Sequence, residues 1–330
     1  MNKMNELLNQ DGLILSNQYE RTMETAVLPY IQERQEDKTV PGDGGKPLFC
    51  SVFRCEQAKG TAMIVHGFTE NAYKYSEIIH SLLRNGFSVV AYDQRGHGRS
   101  WRDEKIKDLS LTHVGSFEEY VTDLACISRE TLFSMPKPWV VFAHSMGGAV
   151  AALYIERHPE VFSRASFCAP MIAPNLGSIP KAAAKILCAG SVALGRGKER
   201  IIGSKPYDGP ENFETSCATG KERFDWYNRV KDENPVYQNN GPTFSWTRQA
   251  IRVTDKILKK GEVEKIQCPV LLSTAQHDSS VMPEAQGEFI SRVKQGKRLF
   301  VQGARHEIYR SNDEVLFPWW HEVLSFLKCD

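Results

Sequence analysis

The sequence has 330 residues, of which 41% are hydrophobic, and its 41 Lys and Arg nearly balance its 40 Asp and Glu to give a net charge of +1. This length predicts either one large α/β domain with an insertion or two domains. The near-neutral charge argues against nucleic acid or a strongly charged partner, and it favours a small or apolar ligand.

The amino end is polar and lacks the apolar core and cleavage site of a signal peptide. The longest apolar stretch, 182–194, is shorter than the ~20 residues of a membrane-spanning helix, and Lys185 interrupts it. The 8 cysteines are scattered without a Cys-x-x-Cys pair, which favours free thiols over disulfides or zinc. We therefore expect a cytoplasmic protein with no transmembrane segment.

Residues 1–45 are predicted to be an N-terminal extension, amphipathic or irregular, that ends in a turn rich in glycine. From Leu48 onward, apolar runs of strand length alternate with segments of helical period. The predicted strands are 49–53, 62–65, 87–92, 139–142, 165–168, 270–274 and 298–301. The predicted helices are 73–84, 117–133, 147–157, 283–293 and 315–327. This alternation predicts an α/β fold with a mostly parallel sheet and helices on both faces.

The alternation stops between residues 174 and 247, a block rich in aromatic residues, glycine and proline. A disordered linker is a poor alternative, because the large aromatic side chains of this block require burial. We expect a helical cap over the carboxyl edge of the sheet, where open α/β sheets bind ligands. The predicted domains are thus an N-terminal extension at 1–45, a core at 46–173 and 248–330, and a cap at 174–247.

A possible nucleophile follows the predicted strand 139–142, where the sequence reads Ala-His-Ser-Met-Gly-Gly. A nucleophile elbow places a serine on a sharp turn between a strand and a helix, and it requires small residues two positions before and after. Ala143 and Gly147 meet this requirement around Ser145, although glycine is usual at the first position. Because so short a motif occurs by chance, its interpretation depends on partners elsewhere in the chain.

Two further positions supply those partners in the order serine, acid, histidine. Asp278 follows the predicted strand 270–274, and His306 follows the strand 298–301, so both lie at the edge of the sheet that carries Ser145. A serine needs a base to take its proton, and the base needs a carboxylate to orient it. We predict Ser145 as nucleophile, His306 as base and Asp278 as its orienting acid.

An oxyanion hole requires two backbone N–H donors, one from the residue after the nucleophile and one from the loop after an earlier strand. Met146 is the first predicted donor, and it also begins a helix whose positive end favours negative charge. Phe68, in the sequence His-Gly-Phe-Thr-Glu, is the second. His66 is expected to shape this loop by hydrogen bonding rather than to transfer protons.

These motifs, together with Asp-Gln-Arg-Gly-His-Gly-Arg-Ser at 93–100, resemble the α/β-hydrolase superfamily. Asn-Gly-Pro-Thr-Phe-Ser-Trp at 240–246 is similar to a stretch of the bacterial lysophospholipases, and Gly-Ala-Arg-His-Glu around His306 is similar too. The resemblance, over about 46–328, is to the lysophospholipase and monoacylglycerol lipase branch. It implies the α/β-hydrolase fold and a cofactor-free serine hydrolase acting on the ester of a single-acyl lipid. The 93–100 run itself is interpreted as a structural turn, with Asp93 and Arg95 bound to backbone groups.

The expected reaction is a two-step ester hydrolysis through an acyl-enzyme, with no metal and no cofactor. An acyl chain is predicted to lie against Met171, Ile172 and Leu187. A short-chain or aryl carboxylesterase remains an alternative, as does a non-catalytic binding module with the same fold. Dehalogenase and epoxide hydrolase activities are excluded, because their nucleophile is a carboxylate.

The stretch 181–205 carries six basic residues and one acid, a local charge of 6 − 1 = +5. A solvated loop is the favoured interpretation. The alternative is a peripheral contact with anionic lipid headgroups, which would place the protein at the inner face of the membrane. The oligomeric state and the physiological ester stay open.

Overall fold

The computed structural model describes residues 7–328, and an eight-stranded sheet forms its centre. In chain order the strands are β1 (Gln35–Pro41), β2 (Pro47–Phe53), β3 (Gly60–Val65), β4 (Phe87–Tyr92), β5 (Leu111–Thr112), β6 (Trp139–His144), β7 (Arg164–Cys168), β8 (Gly241–Pro242), β9 (Val270–His277) and β10 (Gly296–Arg305). The large sheet has the order β1-β2-β4-β3-β6-β7-β9-β10, while β5 and β8 form a separate pair. β1 and β2 are antiparallel to their neighbours and the other strands of the sheet are parallel.

Helices cover both faces of this sheet. They are α1 (Ser76–Arg84), α2 (Glu118–Glu130), α3 (Met146–Arg157), α4 (Lys181–Ala193), α5 (Lys221–Glu233), α6 (Phe244–Ile257), α7 (Pro283–Arg292) and α8 (Asp313–Lys328). Side chains of α2, α3, α6 and α7 join one hydrophobic core, and those of α1 and α8 join a second core on the opposite face. The predicted α/β-hydrolase architecture, a mostly parallel sheet with helices on both faces, is confirmed.

The predicted strands and helices are all present, with ends that move by a few residues. Central strands such as β3 and β4 are buried along their whole length, so their sequences are continuous apolar runs that are easy to recognise. Three helices, α4, α5 and α6, lie between β7 and β9, in and beyond the predicted insertion. The predicted boundary at 247 falls inside α6, whose apolar side packs on the sheet core.

The N-terminal extension contains regular structure that the sequence did not reveal. A helical segment passes through Tyr19–Thr22, Met23–Val27 and Leu28–Gln32, and β1 then pairs with β2 at the edge of the sheet. β1 was missed because most of its side chains are polar and at least partly exposed, as an edge strand allows. Leu13, Ile14 and Met23 of the N-terminal extension are fully buried in the second core.

The seven cysteines between residues 7 and 328 are free thiols, five of them buried, and Cys329 lies outside the described residues. No helix within 7–328 has both the length and the apolar character needed to cross a bilayer.

Candidate active site

Ser145 lies on a strained turn between β6 and α3. Its backbone angles are φ 49° and ψ −118°, a region that side-chain-bearing residues rarely occupy. The Ser145 N–H donates to the carbonyl of Cys168 at the end of β7, 3.1 Å away, which holds the turn against the neighbouring strand. Ala143 is fully buried in the strand before the turn, so its methyl group is accommodated by the packing.

Gly147 is required by the close approach of α3 to β3. A Cβ atom there would lie 2.2 Å from the carbonyl oxygen of Val65 and 2.5 Å from that of His66. We expect Gly147→Ala to lower the free energy of unfolding by about 1–3 kcal/mol, because the helix must shift to make room.

Chemical denaturation of the two proteins would measure this loss. Gly190→Ala is the matched control, since Gly190 lies within α4 with nothing near its Cβ position. It should instead raise stability by up to about 1 kcal/mol through helix propensity. Equal stability of Gly147→Ala and the wild type would contradict the close packing.

The structure brings Ser145, His306 and Asp278 into one hydrogen-bonded chain. Ser145 Oγ lies 2.8 Å from His306 Nε2, and His306 Nδ1 lies 2.8 Å from Asp278 Oδ2. The other carboxylate oxygen of Asp278 accepts the backbone N–H groups of Ser280 and Val281 at 2.8 and 3.1 Å. Burial by itself would raise the pKa of Asp278, but the hydrogen bond and charge of His306 hold this pKa below its usual range. This geometry can activate a serine hydroxyl.

The predicted oxyanion donors lie beside Ser145. Met146 is the first residue of α3, and Phe68 lines the same cavity as Ser145. A Cβ atom on Gly67 would come within 3.1 Å of the Ser145 Cβ, so the loop before Phe68 passes close to the serine. Among residues 7–328, the backbone N–H groups of Phe68 and Met146 donate to no other protein group. They are therefore free to bind an anionic oxygen.

Two neighbouring groups shape the loop that carries Phe68. His66 Nδ1 lies 2.7 Å from the Gly67 carbonyl, and His66 Nε2 accepts the Gln94 N–H at 2.9 Å, so this ring holds one proton, on Nδ1. Asp93 accepts the N–H groups of Ala72 and Arg99, each at 2.8 Å, so it has the backbone partners foreseen for it.

Arg95 has a different environment from the one predicted. Its guanidinium forms a two-pronged ion pair with the buried Asp123 and a further one with Glu119, and it makes one contact with a backbone carbonyl, that of Asp43. Its ion pairs thus mainly connect the 93–100 turn to α2.

The sequence did not reveal a role for Glu70 or for His144. The ring centroid of His144 lies 4.8 Å from that of His306. His144 Nδ1 is 3.0 Å from Glu70 Oε2, and Nε2 is 3.2 Å from the backbone carbonyl of His306. Both partners are acceptors, so both ring nitrogens must carry a proton, and His144 is an imidazolium.

The Glu70 carboxylate joins this imidazolium to the oxyanion loop. It accepts the Gly67 N–H at 2.5 Å and the hydroxyls of Tyr75 and Tyr309 at 2.6 Å each. Burial lowers the pKa of His144, but the charge of Glu70 more than compensates and leaves it above its ordinary value. Burial likewise favours neutral Glu70, yet the charges of His144 and Lys74 hold its pKa well below normal. The sequence pointed to Glu70 only as a lone carboxylate four residues after His66.

A cavity of about 300 Å³ opens above Ser145 and His306; we call it the catalytic cavity. Its apolar lining comes from the sheet loops, the inserted segment and α6, and includes Phe68, Met171, Leu176, Ile201, Trp246, Ala250, Ile251 and Val281.

Of the three residues predicted to contact an acyl chain, Met171 lines this cavity and the other two do not. Ile172 is fully buried in the core beneath it, and Leu187 is 44% exposed on the outer side of α4. The predicted lining is corrected accordingly, because the orientation of α4 turns Leu187 away.

Comparison with known proteins agrees with this architecture. The protein-family model described as "Serine aminopeptidase, S33", a hydrolase family, matches residues 56–313. The chain belongs to this family. The crystal structure of a monoacylglycerol lipase from Paleococcus ferrophilus has the same fold, with a TM-score of 0.65 and 22% identity over 86% of this chain and 98% of that one.

Relatives within the family match over most of their length. Lysophospholipase L2 of Escherichia coli strain K12 is 28% identical over 315 residues, which cover 89% of this chain and 88% of that protein. Monoglyceride lipase of Rattus norvegicus is 24% identical over 295 residues, covering 86% of this chain and 88% of that protein. The lysophospholipase and monoacylglycerol lipase branch is therefore confirmed as the part of the superfamily that the chain resembles.

Proposed function

We propose that this protein is a serine hydrolase that cleaves the carboxylic ester of a single-acyl lipid through an acyl-enzyme. The observation that carries the proposal is the hydrogen-bonded chain Ser145–His306–Asp278, in which Ser145 and His306 line a largely apolar cavity. The similarity to a lysophospholipase and a monoglyceride lipase supports the lipid substrate.

In the proposed reaction, His306 Nε2 takes the proton of Ser145 as Oγ attacks the ester carbonyl. The carbonyl oxygen becomes an oxyanion that the N–H groups of Phe68 and Met146 stabilise. The bond between the acyl carbon and the alkoxy oxygen then breaks as the carbonyl re-forms, and the alcohol leaves with the proton from His306. Water attacks the acyl-enzyme in the same way, which releases the fatty acid and restores Ser145. Asp278, ionised because its pKa is low, stabilises the imidazolium in both steps.

His144 and Glu70 are proposed positioning residues. The His144 imidazolium holds the backbone of His306, and Glu70 holds the loop that presents Phe68. One ion pair thus couples the base to one of the oxyanion donors.

We also propose that residues 174–247 form a cap over a core made of 46–173 and 248–330, with 1–45 as an extension. Support comes from the catalytic cavity, where Asn175, Leu176, Ile201 and Cys217 of the insertion face Ser145 and His306 of the core loops. The cap would then determine the length of the acyl chain that fits.

A substrate panel tests the proposed function. The panel would compare kcat/KM across acyl-chain lengths for monoacylglycerols, lysophospholipids, short aryl esters and aminoacyl anilides. We expect a maximum at medium or long chains, since each buried methylene contributes about 0.8 kcal/mol. A maximum at about two to four carbons would favour the carboxylesterase alternative. Cleavage of anilides alone would favour an aminopeptidase, and no turnover of any kind would favour a binding module.

The stretch 181–205, for which a contact with anionic lipid headgroups is the alternative interpretation, presents few unpaired charges. Five of the six basic residues of 181–205 pair with carboxylates, which removes most of the local positive charge; the pairs are Lys181 and Lys185 with Asp255, Arg196 with Glu199, Lys198 with Asp103, and Arg200 with Asp108. Apolar side chains on and beside α4 are exposed instead, including Ile186 at 75% and Leu194 at 78%. We propose that these apolar side chains contact a lipid surface.

Sedimentation with vesicles measures this contact. We expect similar binding to neutral phosphatidylcholine vesicles and to vesicles with anionic lipid, because the basic residues are already paired. The double variant Ile186→Ser, Leu194→Ser should bind about tenfold or more weakly, since two apolar side chains no longer insert. Ile290→Val, a buried change on α7, serves as control. Strong preference for anionic vesicles, or unchanged binding of the double variant, would contradict the apolar contact.

A further inference from the structure

A second cavity of about 310 Å³ lies beside the catalytic cavity, and we call it the polar pocket. Thr69, Cys217 and Glu307 line both cavities, so the two share a wall next to His306. The remaining lining of the polar pocket is Lys74, Glu211, Asn212, Thr215, Ser216, Phe224, Tyr227, Asn228, Lys231 and Arg310. The proposed hydrolysis assigns no role to this pocket.

Cations outnumber carboxylates in this lining. Lys74, Lys231 and Arg310 face the pocket together with two carboxylates, those of Glu211 and Glu307. The cations come from three separate elements of the chain: the turn before α1, the helix α5 and the turn after β10. Lys74 also pairs with Glu70, but the His144 imidazolium balances that carboxylate. One more negative charge would therefore balance the pocket.

Two of these cations keep unused hydrogen-bond donors. Lys231 is 4% exposed and donates to Glu211 Oε1, so its ammonium has two donors left. Arg310 is 6% exposed, and its Nε is a buried donor without a partner among the described residues. A buried donor without a partner is costly, and an anionic oxygen in the pocket would satisfy it.

The two cavities give the region around Ser145 an apolar side and a polar side. The apolar lining of the catalytic cavity suits an acyl chain. The polar pocket adjoins this cavity at Glu307, the residue that follows His306. In the proposed reaction His306 gives its proton to the leaving alcohol. The alcohol part of the ester therefore belongs on the polar side.

We propose that the polar pocket binds the phosphodiester of a lysophospholipid's leaving group, with Lys231 and Arg310 as its charged donors. This inference rests on the proposed function, because it concerns the alcohol half of the same ester. A phosphodiester carries one negative charge and accepts several hydrogen bonds, which matches the surplus of one cation and the unused donors. Glycerol alone can accept hydrogen bonds but is neutral, so it would leave the surplus charge unmatched. The pocket thus favours lysophospholipids over monoacylglycerols.

The experiment compares a lysophospholipid and a monoacylglycerol that carry the same acyl chain, each below its micelle concentration. Lys231→Met removes the charge and keeps an apolar stem of similar length. We expect kcat/KM for the lysophospholipid to fall about ten- to hundredfold, mainly through a higher KM, while the value for the monoacylglycerol stays within about twofold. Lys231→Arg should restore most of the loss. Lys221→Met, an exposed position on the same helix, is the control and should change neither value.

Asn212→Asp is a second variant that does not depend on removing a buried charge. Asn212 is exposed, and its side-chain oxygen accepts the Glu214 N–H at 2.8 Å, a bond that aspartate keeps. The added charge should lower kcat/KM for the lysophospholipid alone.

Equal losses on both substrates in both variants would overturn the proposal, since the pocket would then be structural. Wild-type hydrolysis of monoacylglycerol without hydrolysis of lysophospholipid would also overturn it, while the proposed function would stand. Competitive inhibition by glycerophosphodiesters, weakened in Lys231→Met, would support a headgroup site. Equally strong inhibition by inorganic phosphate, without discrimination between the two lipids, would instead indicate a free-phosphate site and overturn it.

Discussion

Replacing Ser145 with alanine is expected to lower kcat for ester hydrolysis by about a million-fold. The variant loses the Oγ atom that lies 2.8 Å from His306 Nε2, so no acyl-enzyme can form. Substrate binding should persist, because the catalytic cavity and the backbone donors of Phe68 and Met146 are unchanged. Activity assays with the preferred ester would measure the hydrolysis rate. A fluorophosphonate probe would report covalent labelling of the serine.

The control for this variant is Ser291→Ala, at a serine on α7 that does not line the catalytic cavity and whose hydroxyl donates to the Glu288 carbonyl. It should label and turn over as the wild type does. Thermal unfolding of Ser145→Ala should remain close to wild type, which separates lost chemistry from lost structure. Probe labelling or substantial turnover by Ser145→Ala would rule out the proposed nucleophile.

Asp278→Asn is expected to lower kcat by about ten-thousand-fold. An asparagine amide would donate to His306 Nδ1, which would place the ring proton on Nε2. That nitrogen could then no longer accept the hydroxyl proton of Ser145. The imidazolium formed in the transition state would also lose the carboxylate 2.8 Å from it. Steady-state kinetics should show the change in kcat, with KM nearly unaltered.

A double variant sharpens this prediction. Ser145→Ala combined with Asp278→Asn should be no slower than Ser145→Ala alone, because Asp278 acts through His306 on the serine. Asp225→Asn, an exposed aspartate on α5, is the matched control and should retain full activity. Additive losses in the double variant would mean that Asp278 acts independently of Ser145.

The sequence was informative for elements whose burial or position in the sheet is reflected in a short stretch of residues. Strands β3 and β4 are buried on both faces, and a strand in that position must be a continuous apolar run. Ser145, Asp278 and His306 could be proposed together because each directly follows a parallel strand, and such strands end at one edge of the sheet.

The sequence was uninformative where side chains meet across long separations. Glu70 and His144 are 74 residues apart, and nothing local indicates that they form a buried ion pair behind His306. β1 was missed because an edge strand can be polar. Leu187 was wrongly assigned to the cavity lining because apolar character does not indicate which side of a helix faces the cavity.

The sequence by itself determined the α/β-hydrolase fold and the candidate catalytic residues, since burial and the ends of strands are reflected in patterns of a few neighbouring residues. Only the tertiary structure decided the protonation of His144, the lining of the catalytic cavity and the existence of the polar pocket. The pocket gathers Lys74, Lys231 and Arg310 from three distant segments. Charges acquire such a joint role only when folding brings them within a few ångströms and removes the water between them.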